Sequence, residues 1–360
     1  MLRLPTMIVK RLMLGLLLLS FLSVSAWAAD AKKPNIHIIG TGGTIAGLGS
    51  SSANVSAYQS AVVPVDKLIA AVPEMQNIAN VTGEQIFQIG SESYNNERWL
   101  KLGKRVAELL RSKDVDGVVI THGTDTIEET GYFLNLTLKS EKPVVIVGSM
   151  RPGSAMSADG PLNIYNAVIV ASDKSSAGKG TLVVMNDEIH SARDVSKTNT
   201  VKVETFRSLY GPLGTIIEGK PRYYRLPARP HTTQTEFDID KIETLPEIGV
   251  VYAHGNMSRV PYDAFVAAGV KAIIHMGTGS GSVADYIAPV LKELRGKGIL
   301  IVRASRTGSG IVVRNGEAKD DELDYIVTDD QNAAKARILL SLALLKTTDT
   351  KELQNIFWKY

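Results

Sequence analysis

NIHIIGTGGTIAG (35–47) and DGVVITHGTDTIEET (116–130) decide the fold of this chain. In each, a short apolar run stops at a glycine followed by a threonine and the pattern then changes. Each reads as a buried strand that ends in a turn. Outward from them, strand-like runs recur at Gln85–Ile89, Val144–Val147 and Thr181–Met185. Helical spacing lies between them. Trp99, Leu102, Val106, Leu109 and Leu110 share one face, as do Ile127, Leu134 and Leu138, and Leu162–Ala171 continues the scheme. Asp125 is expected as the N-cap of the second helix, with Glu128 completing a capping box. Strands alternating with helices predict an α/β fold, with a mostly parallel sheet flanked by helices.

Residues 218–246 are rich in proline and polar residues and read as an inter-domain connection. Beyond it a smaller α/β set is expected. Its strands are Gly249–Tyr252, Ala272–His275 and Gly298–Val302, and its helices are near 262–268, 283–295 and 332–346. The expected division is a larger N-terminal domain (34–225), a linker (226–247) and a C-terminal domain (248–360).

The first 28 residues stand apart. Arg3, Lys10 and Arg11 precede an apolar run, and Ala26-Trp27-Ala28 fits a small-x-small cleavage site. This predicts a secretory signal peptide, too short for a membrane anchor, and a periplasmic mature protein. The chain has 40 Lys+Arg and 37 Asp+Glu. Removing the three basic residues of the leader leaves 37 of each sign, which gives no electrostatic footprint for nucleic acid or a membrane surface. There is no cysteine, so thiol catalysis, disulfides and cysteine-ligated metals are excluded. The 6 histidines have no metal-binding spacing.

Polar residues cluster at the expected strand ends. Thr44 follows the first strand, Ser91 and Glu92 the second, Thr124 and Asp125 the third, and Ser149 the fourth. Ligands of open α/β sheets sit at this edge. Hydroxyls, carboxylates and turn N–H groups gathered there suit a carboxylate or an oxyanion.

At this point the residues resemble a known family. TGGTIAG (41–47) and ITHGTDTIEET (120–130) resemble the two signature motifs of bacterial L-asparaginases. The similarity continues through GSMRPGSAMSADGPLNIYNA (148–167), MNDEIHSARDVSKTNT (185–200), GTGSGS (277–282) and the C-terminal segment. It is greatest to the exported type II class and its glutaminase-asparaginase members. The resemblance implies a nucleophilic Thr44 with Tyr58 on a following loop taking its proton, and a second group of Thr124, Asp125 and Lys197. It implies that Ser91, Glu92 and Asp125 hold the substrate's α-carboxylate and α-amino groups. Glu317 corresponds to a carboxylate supplied by a neighbouring subunit, and Ser282 lies near the amino-end contacts. The family's assembly implies a homotetramer of paired subunits.

The chemistry is coherent without the resemblance. A threonine hydroxyl needs a base or a proton path, which Lys197 or Tyr58 can supply. Turn N–H groups around Gly43–Thr44 and Thr124 can hold an oxyanion. Water then resolves the acyl-threonine, with no metal or organic cofactor required. Either threonine can make the first attack. The resemblance adds a substrate preference: Glu92 stands where strict members of the family often have glutamine, and Ser280 and Ser282 where some have asparagine, which implies hydrolysis of both L-glutamine and L-asparagine. One methylene separates these substrates, worth roughly 1–3 kcal/mol of discrimination. The alternatives are a strict asparaginase and, from another class, a periplasmic amino-acid-binding protein, which would need neither nucleophilic threonine.

Overall fold

The central strands are mostly apolar because both of their faces are covered. In the computed structural model, which describes residues 32–360, Val118 and Ile120 pack with Ile39, Val144 and Ile146 on one side of the sheet. Val119, Val145 and Val147 pack with Ile36 and Ile38 on the other. The leader expected over 1–28 lies outside the described residues.

The larger sheet comprises β1 (Asn35–Gly42), β2 (Asn80–Ile89), β3 (Gly117–Thr121), β4 (Val144–Val147), β5 (Thr181–Met185) and β6 (Glu188–Ser191). A separate antiparallel ribbon follows, β7 (Val195–Lys197) with β8 (Phe206–Ser208). β9 (Gly214–Ile217) and β10 (Lys220–Tyr223) then return to the sheet. The strand order is β10-β9-β6-β5-β4-β3-β1-β2. Pairing is parallel from β2 to β5 and antiparallel from β5 to β10. The chain passes from β1 to β2 on one side and then crosses back to place β3 on the other. This order, 2-1-3-4-5, puts a topological switch point between β1 and β3, where a crevice opens beyond the strand ends. The two Gly-Thr endings fall on the two sides of that crevice.

Helices of eight residues or more are numbered. α1 (Asn96–Arg111) and α2 (Ile127–Thr137) cover one face of the sheet, and α3 (Gly160–Ser172) covers the other. Asn95 caps α1 by accepting from Arg98 N at 2.9 Å. Asp125 does not cap α2. The capping position is Thr126, whose hydroxyl makes no capping bond and donates to Ser91 O at 2.8 Å. The Asp125 carboxylate is taken by Lys197 instead, and Glu128 turns to Asn332 at 3.3 Å and Lys335 at 3.8 Å.

The second sheet is wholly parallel: β11 (Ile248–Tyr252), β12 (Ala272–Gly277), β13 (Leu300–Ser305) and β14 (Ile326–Val327), in that order. Its helices are α4 (Val260–Ala267), α5 (Ala288–Gly296), α6 (Ala333–Ala343) and α7 (Thr350–Lys359). The helix expected from 283 begins at Ala288, with Pro289 in its first turn, where proline's fixed φ and missing N–H are tolerated. Residues 226–247 join the sheets and are anchored by Phe237, Ile239, Ile242 and Leu245, all buried. These four belong to one apolar cluster that runs from α1 and α2 through α6 to β12 and β13. Each such side chain contributes roughly 1.5–3 kcal/mol of burial, an upper figure because unfolded chains already bury some area.

Candidate active site

Three turns meet at the switch point because two of them lack side chains. Gly43 has φ of 81°, a left-handed conformation suited to glycine. A β-carbon there would stand 2.3 Å from Gly123 Cα. One on Gly123 would stand 2.6 Å from Ser91 Oγ. The turns after β1, β2 and β3 therefore pack backbone to backbone, and Thr44, Ser91 and Thr124 are all buried at their junction.

Each threonine hydroxyl has its own partner. Thr44 Oγ1 lies 2.8 Å from the Tyr58 hydroxyl. Tyr58 belongs to a two-residue ribbon, Leu48–Gly49 with Tyr58–Gln59, which folds the intervening segment over the turn. That ribbon is fastened from the loop after β4: Gly49 N donates to Ser154 Oγ at 2.7 Å and Gly153 N to Gly47 O at 3.0 Å. On the other side, Lys197 Nζ donates to Thr124 Oγ1 at 2.8 Å and to Asp125 Oδ1 at 2.6 Å. Lys197 is brought there by β7, since its side chain is only 17% exposed at the end of that ribbon.

The carboxylate- and amine-binding candidates divide. Ser91 Oγ accepts from Asp125 N at 3.2 Å, which leaves its own proton to donate. Glu92 is exposed, folds over Gly90 and has no hydrogen-bond partner among the described residues. The Ser149 hydroxyl, fully buried, donates to Arg151 O at 2.7 Å, so its proton is committed to its own turn. The Gly43 N–H, expected among the oxyanion donors, is likewise committed, to Ile89 O at 2.9 Å, and does not face a ligand. The N–H groups of Thr44 and Thr124 have no acceptor among the described residues. Ser282 and Glu317 lie on loops of the second sheet. Neither makes a hydrogen bond or ion pair to Thr44, Thr124, Asp125 or Lys197 within the chain, and Glu317 is exposed.

Several supporting residues carried no signal in the sequence. His122 is fully buried, stacks on Tyr94 at 4.6 Å and donates from Nδ1 to Gly123 O at 2.7 Å. Burial pushes its pKa down to about 4, so the ring is neutral and its bare Nε2 has no partner among the described residues. Asp159 accepts from Met150 N and Arg151 N, both at 2.9 Å, and shapes the loop that fastens the ribbon. Asn332 Nδ2 donates to Ser196 Oγ at 3.2 Å and Lys335 Nζ to Val195 O, so α6 grips β7 from behind. Among the described residues, no group of three or more His, Cys, Asp or Glu converges as a metal site, and no helix is long and apolar enough to cross a membrane.

A mostly parallel α/β sheet with two partnered threonines at its switch point defines the class: an α/β protein equipped for hydroxyl nucleophilic chemistry. The chain belongs to the asparaginase family, for the family described as "Asparaginase, N-terminal" matches residues 35–229 and "Glutaminase/Asparaginase C-terminal domain" matches 247–357. It is 56% identical over 350 residues to the glutaminase-asparaginase of Pseudomonas fluorescens biotype A, covering 96% of this chain and 97% of that protein. It is 48% identical over 333 residues to L-asparaginase 2 of Escherichia coli strain K12, covering 92% and 95%. A crystal structure of a probable cytoplasmic L-asparaginase from Campylobacter jejuni superposes with a TM-score of 0.88 at 45% identity, over 91% of this chain and 100% of that one.

Proposed function

We propose that this chain hydrolyses the side-chain amides of L-glutamine and L-asparagine, releasing ammonia and glutamate or aspartate through a threonine acyl-enzyme. The observation that carries this reading is the pairing at the switch point, with Tyr58 on Thr44 and Lys197 with Asp125 on Thr124. Family membership, and 56% identity to a protein named for both amides, supports the substrate class.

Thr44 Oγ1 attacks the amide carbon as its proton passes to the Tyr58 oxygen and the Tyr58 hydroxyl proton passes on to the amide nitrogen, and the carbonyl becomes an oxyanion facing the Thr44 and Thr124 N–H groups. The Lys197–Asp125 pair holds Thr124 Oγ1 as an acceptor, which turns the Thr124 proton outward toward the leaving nitrogen. The C–N bond breaks and ammonia departs with the transferred proton. Water then attacks the ester and Thr44 recovers its hydroxyl. Ser91 receives the α-carboxylate, while Glu92 and the free oxygen of Asp125 receive the α-amino group. A second copy of the chain, within a homotetramer, completes that end with Ser282 and Glu317. The leader carries the protein to the periplasm, as the name of the 49%-identical probable periplasmic L-asparaginase of Haemophilus influenzae also suggests.

The test is ammonia release from both amides by the purified mature chain. Comparable turnover is expected, with kcat/KM for L-glutamine within about a hundredfold of that for L-asparagine. A larger gap supports the strict asparaginase, and stoichiometric binding without ammonia overturns the enzyme reading.

A further inference from the structure

The turn that carries Ser282 is held from inside the second sheet by two buried side chains. Arg303, on β13, is fully buried. Its Nη1 donates to Ser280 O at 3.3 Å and Gly281 O at 2.9 Å. His275 Nε2, on β12, donates to Ser282 O at 3.1 Å, and its Nδ1 accepts from the Tyr262 hydroxyl at 2.6 Å. Three consecutive carbonyls of one surface turn are thus bound by core groups, while Ser282 Oγ has no hydrogen-bond partner among the described residues.

The same guanidinium reaches the loop that carries Glu317. Nε and Nη2 meet both oxygens of the equally buried Asp320 at 2.7 Å, and Nη2 also donates to Val313 O at 3.3 Å. Asp320 Oδ2 accepts from Asn315 N at 2.8 Å. Ser280 Oγ closes the connection by accepting from Val313 N at 3.0 Å. All five donors of Arg303 are used, which only a planar fork can do; an ammonium has three donors on one point. A buried ion pair is costly to desolvate, and an apolar pair of similar volume often serves stability as well. A requirement for geometry explains this pair better than a requirement for stability.

We infer that Arg303, with Asp320, is a positioning residue that fixes the Ser282 turn and the Glu317 loop relative to each other, so that both meet the substrate's amino end together. This rests on the reading above, in which those two residues complete the site of a second copy.

The experiment is a mutant cycle on the oligomer, with kcat/KM for both amides and the unfolding midpoint as readouts. Arg303→Lys is combined with Ser282→Ala/Glu317→Ala. Expected is a loss of about tenfold or more from Arg303→Lys alone, and less than about twofold further loss when it is added to the Ser282→Ala/Glu317→Ala background. If Arg303→Lys fails to fold, Arg303→Met/Asp320→Leu keeps the volume and is judged by the same criterion. Losses that multiply, or an Arg303 variant with unchanged kinetics, overturn the inference. So does failure of both replacements to fold, since the pair then holds the fold and not the site. Ser282→Ala/Glu317→Ala without effect overturns the underlying reading instead.

Discussion

Gly43→Ala strikes the junction on which the site depends, and its cost follows from the coordinates. The added β-carbon would lie 2.3 Å from Gly123 Cα and 2.4 Å from Gly123 N, against ordinary contact at 3.4 Å or more. Both neighbours are backbone and cannot swing aside, so the two turns must separate by about 1 Å. Thr44 and Thr124 move with them. A misplacement of that size costs catalysis on the order of a hundredfold. Left-handed φ at an alanine adds roughly 1–3 kcal/mol of strain to the folded state. Steady-state ammonia release should therefore show kcat/KM down about a hundredfold in a variant that still folds, with KM less affected than kcat. Activity within about threefold of the parent would refute the idea that close approach of these glycines sets the site.

Other consequences concern separate parts of the molecule. Tyr58→Phe keeps the ring over Thr44 and removes only the hydroxyl, so kcat should fall by about 10²–10⁴ with KM little changed; a kcat within about threefold would exclude Tyr58 as proton partner. His122 is held neutral by burial, its pKa lowered from 6.5 to about 4. The unfolded chain takes up a proton across that window and the folded chain does not, so stability present above pH 6.5 is lost as pH falls, by about 3 kcal/mol near pH 4. Urea midpoints measured at pH 7 and pH 4 should converge in His122→Asn relative to the parent, and parallel losses in both would contradict this. Thr44→Ala, inactive alone, and Glu317→Ala, weakened alone, should regain about a quarter of the sites when dissociated and reassembled together. No recovery with exchange verified would place Glu317 outside the site.

Much of this arrangement was legible because the central strands are buried on both faces. Gly117–Ile120 and Val144–Val147 are apolar throughout, and such runs announce a parallel sheet with helices on each side. The strand-end threonines were legible for the same reason, since each breaks an apolar run beside a glycine. The antiparallel extension β6, β9 and β10 was not, because its strands are only four residues long and β9 and β10 mix buried or half-buried with exposed positions. Phe237 and Ile239 were hidden in a proline-rich, polar segment whose apolar residues follow no period. Asp125 was misassigned as a helix cap because its partner, Lys197, lies 72 residues away and reaches it only through β7. Ser149 was expected to face a ligand, but local spacing does not reveal that Arg151 O takes its proton. Arg303 and Asp320 gave no signal at all, since an isolated charge ordinarily reads as surface.

The most direct measurement is the position of the acyl group. The protein is mixed with saturating L-asparagine or L-glutamine, quenched in acid during steady state, digested and analysed by peptide mass spectrometry. The expected result is a substrate-derived ester on the peptide containing Thr44, absent from Thr44→Ala, for both amides. An ester on Thr124, or turnover in full with no adduct on either threonine, would contradict Thr44 as the nucleophile.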